Sequence, residues 1–144
     1  MSAIDIRSSP ALSAATALLD TQGLPSSDLT DEHMKDFLFC GSARNLTAVI
    51  GLEIFQLDGL LRSLAVTPPA QGAGLGSTLV QHAERHARER GVKTLYLLTD
   101  TAQAFFERRG YRVISREMCP ESIGSTAEFA GLCPASSVLL MKAL

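Results

Sequence analysis

The sequence predicts a mixed α/β fold, a central sheet of about six to seven strands flanked by helices, and three observations predict it. Short apolar segments with two-residue alternation occur in both halves of the chain. A helical repeat of Leu75, Leu79, Ala83 and Ala87 stands between two of them, and glycine- and proline-rich turns mark the boundaries. Early strands follow one another through short turns, as antiparallel hairpins require, whereas later strands alternate with helices.

Residues 3–7 alternate with period two and form the first expected strand. Ser9 is placed to cap a first helix, with Pro10 at its first position, and this helix runs to about Asp20. Residues 22–27 make a loop, and Thr30-Asp31-Glu32-His33 opens a short helix reaching about Asp36. Residues 37–40 and 46–55 are strands joined through a turn, which predicts a hairpin. A further turn at residues 56–59 leads into a strand over 60–67, stopped by Pro68-Pro69. The glycine-rich loop 71–76 then enters a helix over 77–90 that Gly91 ends. Residues 94–99 are apolar almost throughout, the pattern of a strand buried on both faces. A helix over 101–109 ending at Gly110, a strand over 111–114, a short helix and loop over 120–132 and a closing strand over 136–142 complete the chain.

With 144 residues, the chain corresponds to one domain over 1–144, at ~100–200 residues per domain. Hydrophobic residues make up 46% and charged residues 19%, which excludes wholesale disorder. A net charge of −2 and a pI near 5.9 lack the basic footprint of a nucleic-acid binder. No apolar run approaches the ~18 residues that cross a bilayer, so no membrane partner is expected. The N-terminal residues show no basic segment followed by a long apolar one, and a cytoplasmic location is the expectation. Cys40, Cys119 and Cys133 are odd in number and lack Cys-x-x-Cys spacing, which argues for free thiols and against a zinc site.

The chemistry concentrates where a strand, a proline pair, a glycine turn and a helix follow in succession. Gly72, Gly74 and Gly76 alternate through the turn and first helical residues, where each costs about 1 kcal/mol of helix propensity relative to Ala. Backbone N–H groups of such a turn, added to the positive end of a helix, suit a pyrophosphate. No lysine follows Gly76, so the loop is not that of a nucleoside triphosphatase, and Ser77 stands where a dinucleotide fingerprint needs its third glycine.

These residues resemble the GNAT acyltransferases, whose pyrophosphate loop reads Gln/Arg-x-x-Gly-x-Gly/Ala. Gln71-Gly72-Ala73-Gly74-Leu75-Gly76 matches every defined position. The preceding Leu64-Ala65-Val66 is similar to the strand whose free edge pairs with the pantetheine arm in that family. Residues 102–111, Ala-Gln-Ala-Phe-Phe-Glu-Arg-Arg-Gly-Tyr, resemble the second signature, a helix and strand along the other side of the cofactor. The resemblance covers about residues 46–115 and implies acetyl-CoA as co-substrate and a V-shaped split in the sheet. It assigns Leu64, Ala65, Val66, Gln71, Gly72, Ala73, Gly74, Leu75, Gly76, Ser77, Phe105, Phe106 and Arg109 to the cofactor, and it implies a homodimer. A narrower resemblance, through residues 61–66, 94–99, 126–129 and 132–136, is to the arsenic-resistance-associated bacterial N-acetyltransferases. It implies a small amine acceptor, such as a phosphinate- or arsenic-containing amino acid.

Acetyl transfer to an amine needs a neutral nucleophile, a polarised carbonyl and a proton for the departing thiolate. Glu53 is the expected base, acting through water. Arg62, with Ser63 beside it, is the expected acceptor-binding pair, because alternation along the strand puts Arg62 on the face of Leu64 and Val66. Phe106 stands where many relatives have a tyrosine donor, so the usual general acid is missing. That departure leaves as one rival a coenzyme A-binding module without turnover; the other is the same fold acting on another amine, such as a polyamine, or on a protein N-terminus. His82 and His86 are spaced to share a helix face, but with no third ligand type at suitable spacing they are expected to be solvated or half-buried.

Overall fold

In the computed structural model residues 5–144 are described. Among the described residues seven strands, β1 (Arg7–Ser8), β2 (Phe37–Ser42), β3 (Asn45–Phe55), β4 (Asp58–Val66), β5 (Thr94–Thr99), β6 (Arg112–Ile114) and β7 (Val138–Ala143), make one sheet in the order β1-β2-β3-β4-β5-β7-β6. Every neighbouring pair is antiparallel except β4–β5. Its helices are α1 (Leu12–Thr21), α2 (Asp31–Met34), α3 (Leu75–Glu89), α4 (Gln103–Glu107) and α5 (Glu121–Gly124).

Two local expectations change. Residues 3 and 4 of the expected first strand lie outside the described residues, and the observed ladder pairs Arg7 with Phe39 and Ser8 with Leu38. Ser9 does not cap α1: it adopts a left-handed φ of 64°, and the helix starts two residues later behind Ala11. Thr30 does cap α2, where its backbone N–H donates to His33 Nδ1 at 3.1 Å. The 120–132 segment holds α5 and then a wide turn over Glu128–Leu132, closed by the Cys133 N–H donating to the Glu128 carbonyl at 3.1 Å.

Alternation along β2 and β3 divides the core between the two faces of the sheet. Phe37, Phe39 and Val49 pack beneath α1 with Ala15, Leu18 and Leu19. Leu38, Cys40, Ala48 and Ile50 face the other way, against Leu79, Val80, Ala83 and Ala87 of α3. On the far half of the sheet Leu60, Tyr96 and Leu139 pack with Ile123 of α5. The apolar repeat that marked α3 in the sequence is therefore the stripe that buries it.

β4 departs from a regular ladder at one point. Val49 pairs with Ala65 but Gly51 pairs with Arg62, so two steps along β3 span three along β4. Ser63, at a left-handed φ of 61°, lies within this bulge. An extra residue reverses the alternation beyond it: Leu61 packs toward α3, Arg62 points away, and Leu64 and Val66 return to the α3 side. The expectation that Arg62 shares a face with Leu64 and Val66 is thus overturned.

β4 and β5 pair only at Asp58–Thr94, Gly59–Leu95 and Leu60–Tyr96, although each strand continues past that point. Beyond Leu60 the two diverge, and the expected V-shaped split is present. Both functional surfaces described below line this opening.

Gly51 is required by packing, since an added Cβ would stand 2.3 Å from the Phe37 ring, which is fully buried. Gly51→Ala is expected to lose about 1–3 kcal/mol by overpacking, read as a lower urea midpoint at unchanged slope.

Candidate functional site

The glycine loop and the open edge of β4 build a groove of about 730 Å³. Leu64 and Val66 form one wall, Gln71, Gly72, Gly74, Leu75, Gly76 and Ser77 its floor, and Ala102, Phe105, Arg108 and Arg109 the opposite wall. Gly72 and Gly74 hold φ of 85° and 80°, values that L side chains rarely adopt. Gly74 is the residue before α3, and the first helical hydrogen bond runs from the Thr78 N–H to its carbonyl. The N–H groups of Leu75, Gly76 and Ser77 precede that bond, so they point out of the helix end into the groove together with the positive end of the dipole. An α3 of 15 residues gives this dipole its full effect at the first turn.

The side chains around the loop are braced. Gln71 Nε2 donates to the Val66 carbonyl at 2.9 Å, tying the loop to the end of β4. Arg109 lies over the Phe105 ring at 3.5 Å and donates to Ser77 Oγ at 3.2 Å and the Phe105 carbonyl at 2.6 Å. Phe106 is buried instead of lining this groove, edge-on to Phe105 and Tyr111. Tyr111 packs where a phenol cannot reach the groove, donating to Glu84 Oε2 at 2.9 Å beside Lys142, also 2.9 Å from that oxygen. Burial next to the Glu84 carboxylate pushes the Tyr111 phenol well above its ordinary range.

A second, smaller pocket of about 210 Å³ shares Leu64, Thr101 and Ala102 with the groove. It lies where β4 and β5 have separated, between the Gly23–Leu24–Pro25 loop and the segment carrying Glu128, Cys133 and Pro134. Arg62 and Ser63 belong to its lining. The guanidinium is wholly buried and meets three carboxylates. Nη1 and Nη2 bind Asp28 in a two-point contact at 2.6 and 2.9 Å, Nη1 also reaches Glu53 at 2.7 Å, and Nε reaches Ser63 Oγ at 3.0 Å and Glu128 Oε2 at 3.2 Å.

Glu53 is therefore an Arg62 partner, and it lines a separate depression with His33 and Asp36 rather than the pocket at the split. Arg62 is likewise engaged by protein carboxylates, not presented as a free cation. Burial opposes charge on Asp28, but the bonds from Arg62 outweigh it and hold that carboxyl below its ordinary range. For Glu128 burial wins over the pull of Arg62, and Asp28 and Glu53 add to it, so this carboxyl sits above the usual range. The Cys133 thiol, half-buried beside Glu128, is pushed up to about 12 by desolvation and that carboxylate, and it donates to Glu128 Oε1 across 3.6 Å.

Asp28, His33 and Glu53 each bring one ligand-type atom within 4.8 Å of the others, but both carboxylates already bind Arg62. His86 pairs with Asp36 at 3.0 Å, beside Arg90, so the two histidines of α3 form no shared ligand set. Asp28 and Glu128 are the residues that sequence reasoning passed over. Asp28 sits in a polar loop 34 positions from Arg62 with no periodic signal around it. Glu128 stands within residues 126–129, where the sequence carries a family resemblance but no chemical pattern of its own.

Residues 14–111 match the Acetyltransferase (GNAT) family. An amino-acid acetyltransferase of Neisseria meningitidis is 30% identical over 118 residues, which are 78% of this chain and 27% of that protein. The N-acetylglutamate synthase of Neisseria gonorrhoeae, solved with coenzyme A and N-acetylglutamate, superposes with a TM-score of 0.83 at 26% identity. That match covers 100% of this chain and 36% of the synthase. A Mycobacterium tuberculosis protein solved with CoA superposes at 0.76 over 97% of this chain and 99% of its own, and at 19% identity it bears on the fold alone. The chain thus spans about a quarter to a third of the length of the Neisseria proteins. From the split sheet, the glycine loop at the start of α3 and the family match, the chain belongs to the GNAT acetyltransferase family.

Proposed function

We propose that the protein is an acetyl-CoA-dependent N-acetyltransferase acting in the cytoplasm on the amine of a small, amino-acid-like molecule, a phosphinate- or arsenic-containing amino acid being the acceptor of first choice. The observation that carries this reading is the shared wall of Leu64, Thr101 and Ala102, through which the groove opens onto the smaller pocket. The pyrophosphate would lie on Gly72–Ser77 and the pantetheine along β4 beyond Leu60, where the strand has separated from β5. The thioester would then reach the shared wall, with backbone N–H groups of β4 near Leu64 to polarise its carbonyl. A pocket of about 210 Å³ favours a small acceptor. The amino-acid acetyltransferase similarity supports an amine of the amino-acid class, and the three cysteines are free thiols, as a reducing compartment would keep them. Among the described residues no helix is long and apolar enough to cross a membrane.

Thiol release from acetyl-CoA with a panel of amino acids, phosphinothricin, arsenic-containing analogues, polyamines and a peptide N-terminus tests the acceptor class. Turnover confined to the small amino-acid amines is expected; tight coenzyme A binding with no turnover on any of them would leave a binding module. Sedimentation of the same sample reports whether the homodimer implied by the resemblance forms.

The cofactor assignment has its own test in Gly74. Both Asp and Asn tolerate a left-handed φ, so Gly74→Asn measures the backbone cost and Gly74→Asp adds a negative charge facing the pyrophosphate. Titration with coenzyme A at low salt should show the Asp variant binding at least about tenfold more weakly than the Asn variant. Equal affinities would place the phosphates elsewhere.

A further inference from the structure

Glu128 is the buried acid of the pocket at the split, whereas Asp100, the other acid among its described lining residues, is exposed. Its two oxygens have defined neighbours. Oε2 lies 3.2 Å from Arg62 Nε, and Oε1 accepts from Cys133 Sγ at 3.6 Å. The carboxylate therefore has a fixed orientation and retains acceptor capacity, since an ionised carboxylate offers about four lone-pair sites. Arg62 cannot serve an incoming anion alone, because Asp28, Glu53 and Glu128 together outnumber its single positive charge. The Glu128 end of the pocket therefore suits the cationic group of an acceptor.

We propose that Glu128 receives the acceptor as an ammonium ion and removes its proton, acting as the general base of acetyl transfer, with Arg62 and Cys133 as its positioning residues. This rests on the acetyltransferase reading above. The ammonium gives one proton to Glu128, and the freed nitrogen lone pair forms the C–N bond at the thioester carbonyl. On collapse the C–S bond breaks with its electron pair on sulfur, the second nitrogen proton goes to the thiolate, and Glu128 releases its proton to solvent. A carboxyl held above its ordinary range by burial is better matched to this transfer than an exposed one. The charged and titratable groups around it are Arg62 on β4, Glu53 on β3, Asp28 before α2, and Cys133 beyond the turn, with Asp100 following β5.

The test compares wild type with Glu128→Gln, which keeps an oxygen for Arg62 but takes no proton. Coenzyme A titration serves as the folding control. With α-amines of pKa about 7.7–8.0 and alkyl amines near 10.4 as probes, loss of turnover at pH 7 should be about a hundredfold or more for the alkyl amine and smaller for the α-amine. Raising the pH should shrink both losses, which a merely structural role would not do. Calorimetry on the CoA-saturated protein should show probe ammonium ions binding Glu128→Gln at least about tenfold more weakly. In Cys133→Ala a hydrogen bond that favours the charged carboxyl is gone, so the acid limb of kcat/KM should move to higher pH. Unchanged turnover, probe binding and pH profile in Glu128→Gln would overturn the assignment and leave the acetyltransferase reading standing. A wild-type protein that binds coenzyme A but neither binds nor acetylates any amine would overturn both.

Discussion

The arrangement of the site depends on one extra residue in β4. Without the bulge at Ser63, alternation would carry Arg62, Leu64 and Val66 on one face of the sheet, and the groove wall and the charge cluster would compete for the same side. With it, Leu64 and Val66 face the groove and α3, and Arg62 faces Asp28, Glu53 and Glu128. The same distortion lies in the part of β4 that no longer pairs with β5, consistent with the ability of bulges to turn a strand and end a ladder. A left-handed φ at a serine carries strain of about 1–3 kcal/mol, which persists because paired backbone on β3 and the bond from Arg62 Nε to Ser63 Oγ hold it.

Arg62 is the electrostatic counterpart of that constraint. Its partners come from three separate parts of the chain: the loop before α2, β3 and the turn after α5. Taking a guanidinium out of water is expensive, and one carboxylate would not offset it; several charge-assisted bonds in good geometry do. Removing the cation would leave Glu128 buried without compensation, at a cost of about 3–5 kcal/mol for a broken buried pair. The cluster thus fixes the walls of the smaller pocket relative to one another more than it adds net stability, and in the proposed reaction fixed walls would orient an acceptor toward a thioester.

Local patterns in the sequence were enough for the strands, α3 and the glycine loop, because each rests on near neighbours: alternation, a four-residue apolar repeat, and glycines where φ must be positive. The order of β5, β7 and β6 and the bulge are set by pairing between distant segments, and β4 carries no glycine or proline at Ser63 to mark the irregularity. Arg62 was therefore visible as a candidate but placed on the wrong face. Its partner Asp28 was invisible for the same reason, as an ordinary loop acid joined to Arg62 by tertiary structure alone. Glu53 illustrates the converse case. A carboxylate next to apolar strand residues looked like a base, and the fold spends it on the guanidinium.

Phe106 bears on how protons move in such a site. A tyrosine at that position could protonate a departing thiolate, but the Phe106 ring, edge-on to Phe105 and Tyr111 and lining the smaller pocket, has no proton to give, and Tyr111 is held by Glu84. A thiol has a pKa of about 8.5, so its anion is a tolerable leaving group near neutrality, and loss of a donor there raises the barrier little. The amine is the harder problem, because an alkyl ammonium at pH 7 has no lone pair to offer until a proton is removed. In the proposed acetyl transfer, acid–base demand consequently falls on the acceptor side of the thioester. Consistent with that reading, Glu128 and Arg62 are buried at the smaller pocket, whereas the buried Glu84 of α3 is taken up by Tyr111 and Lys142.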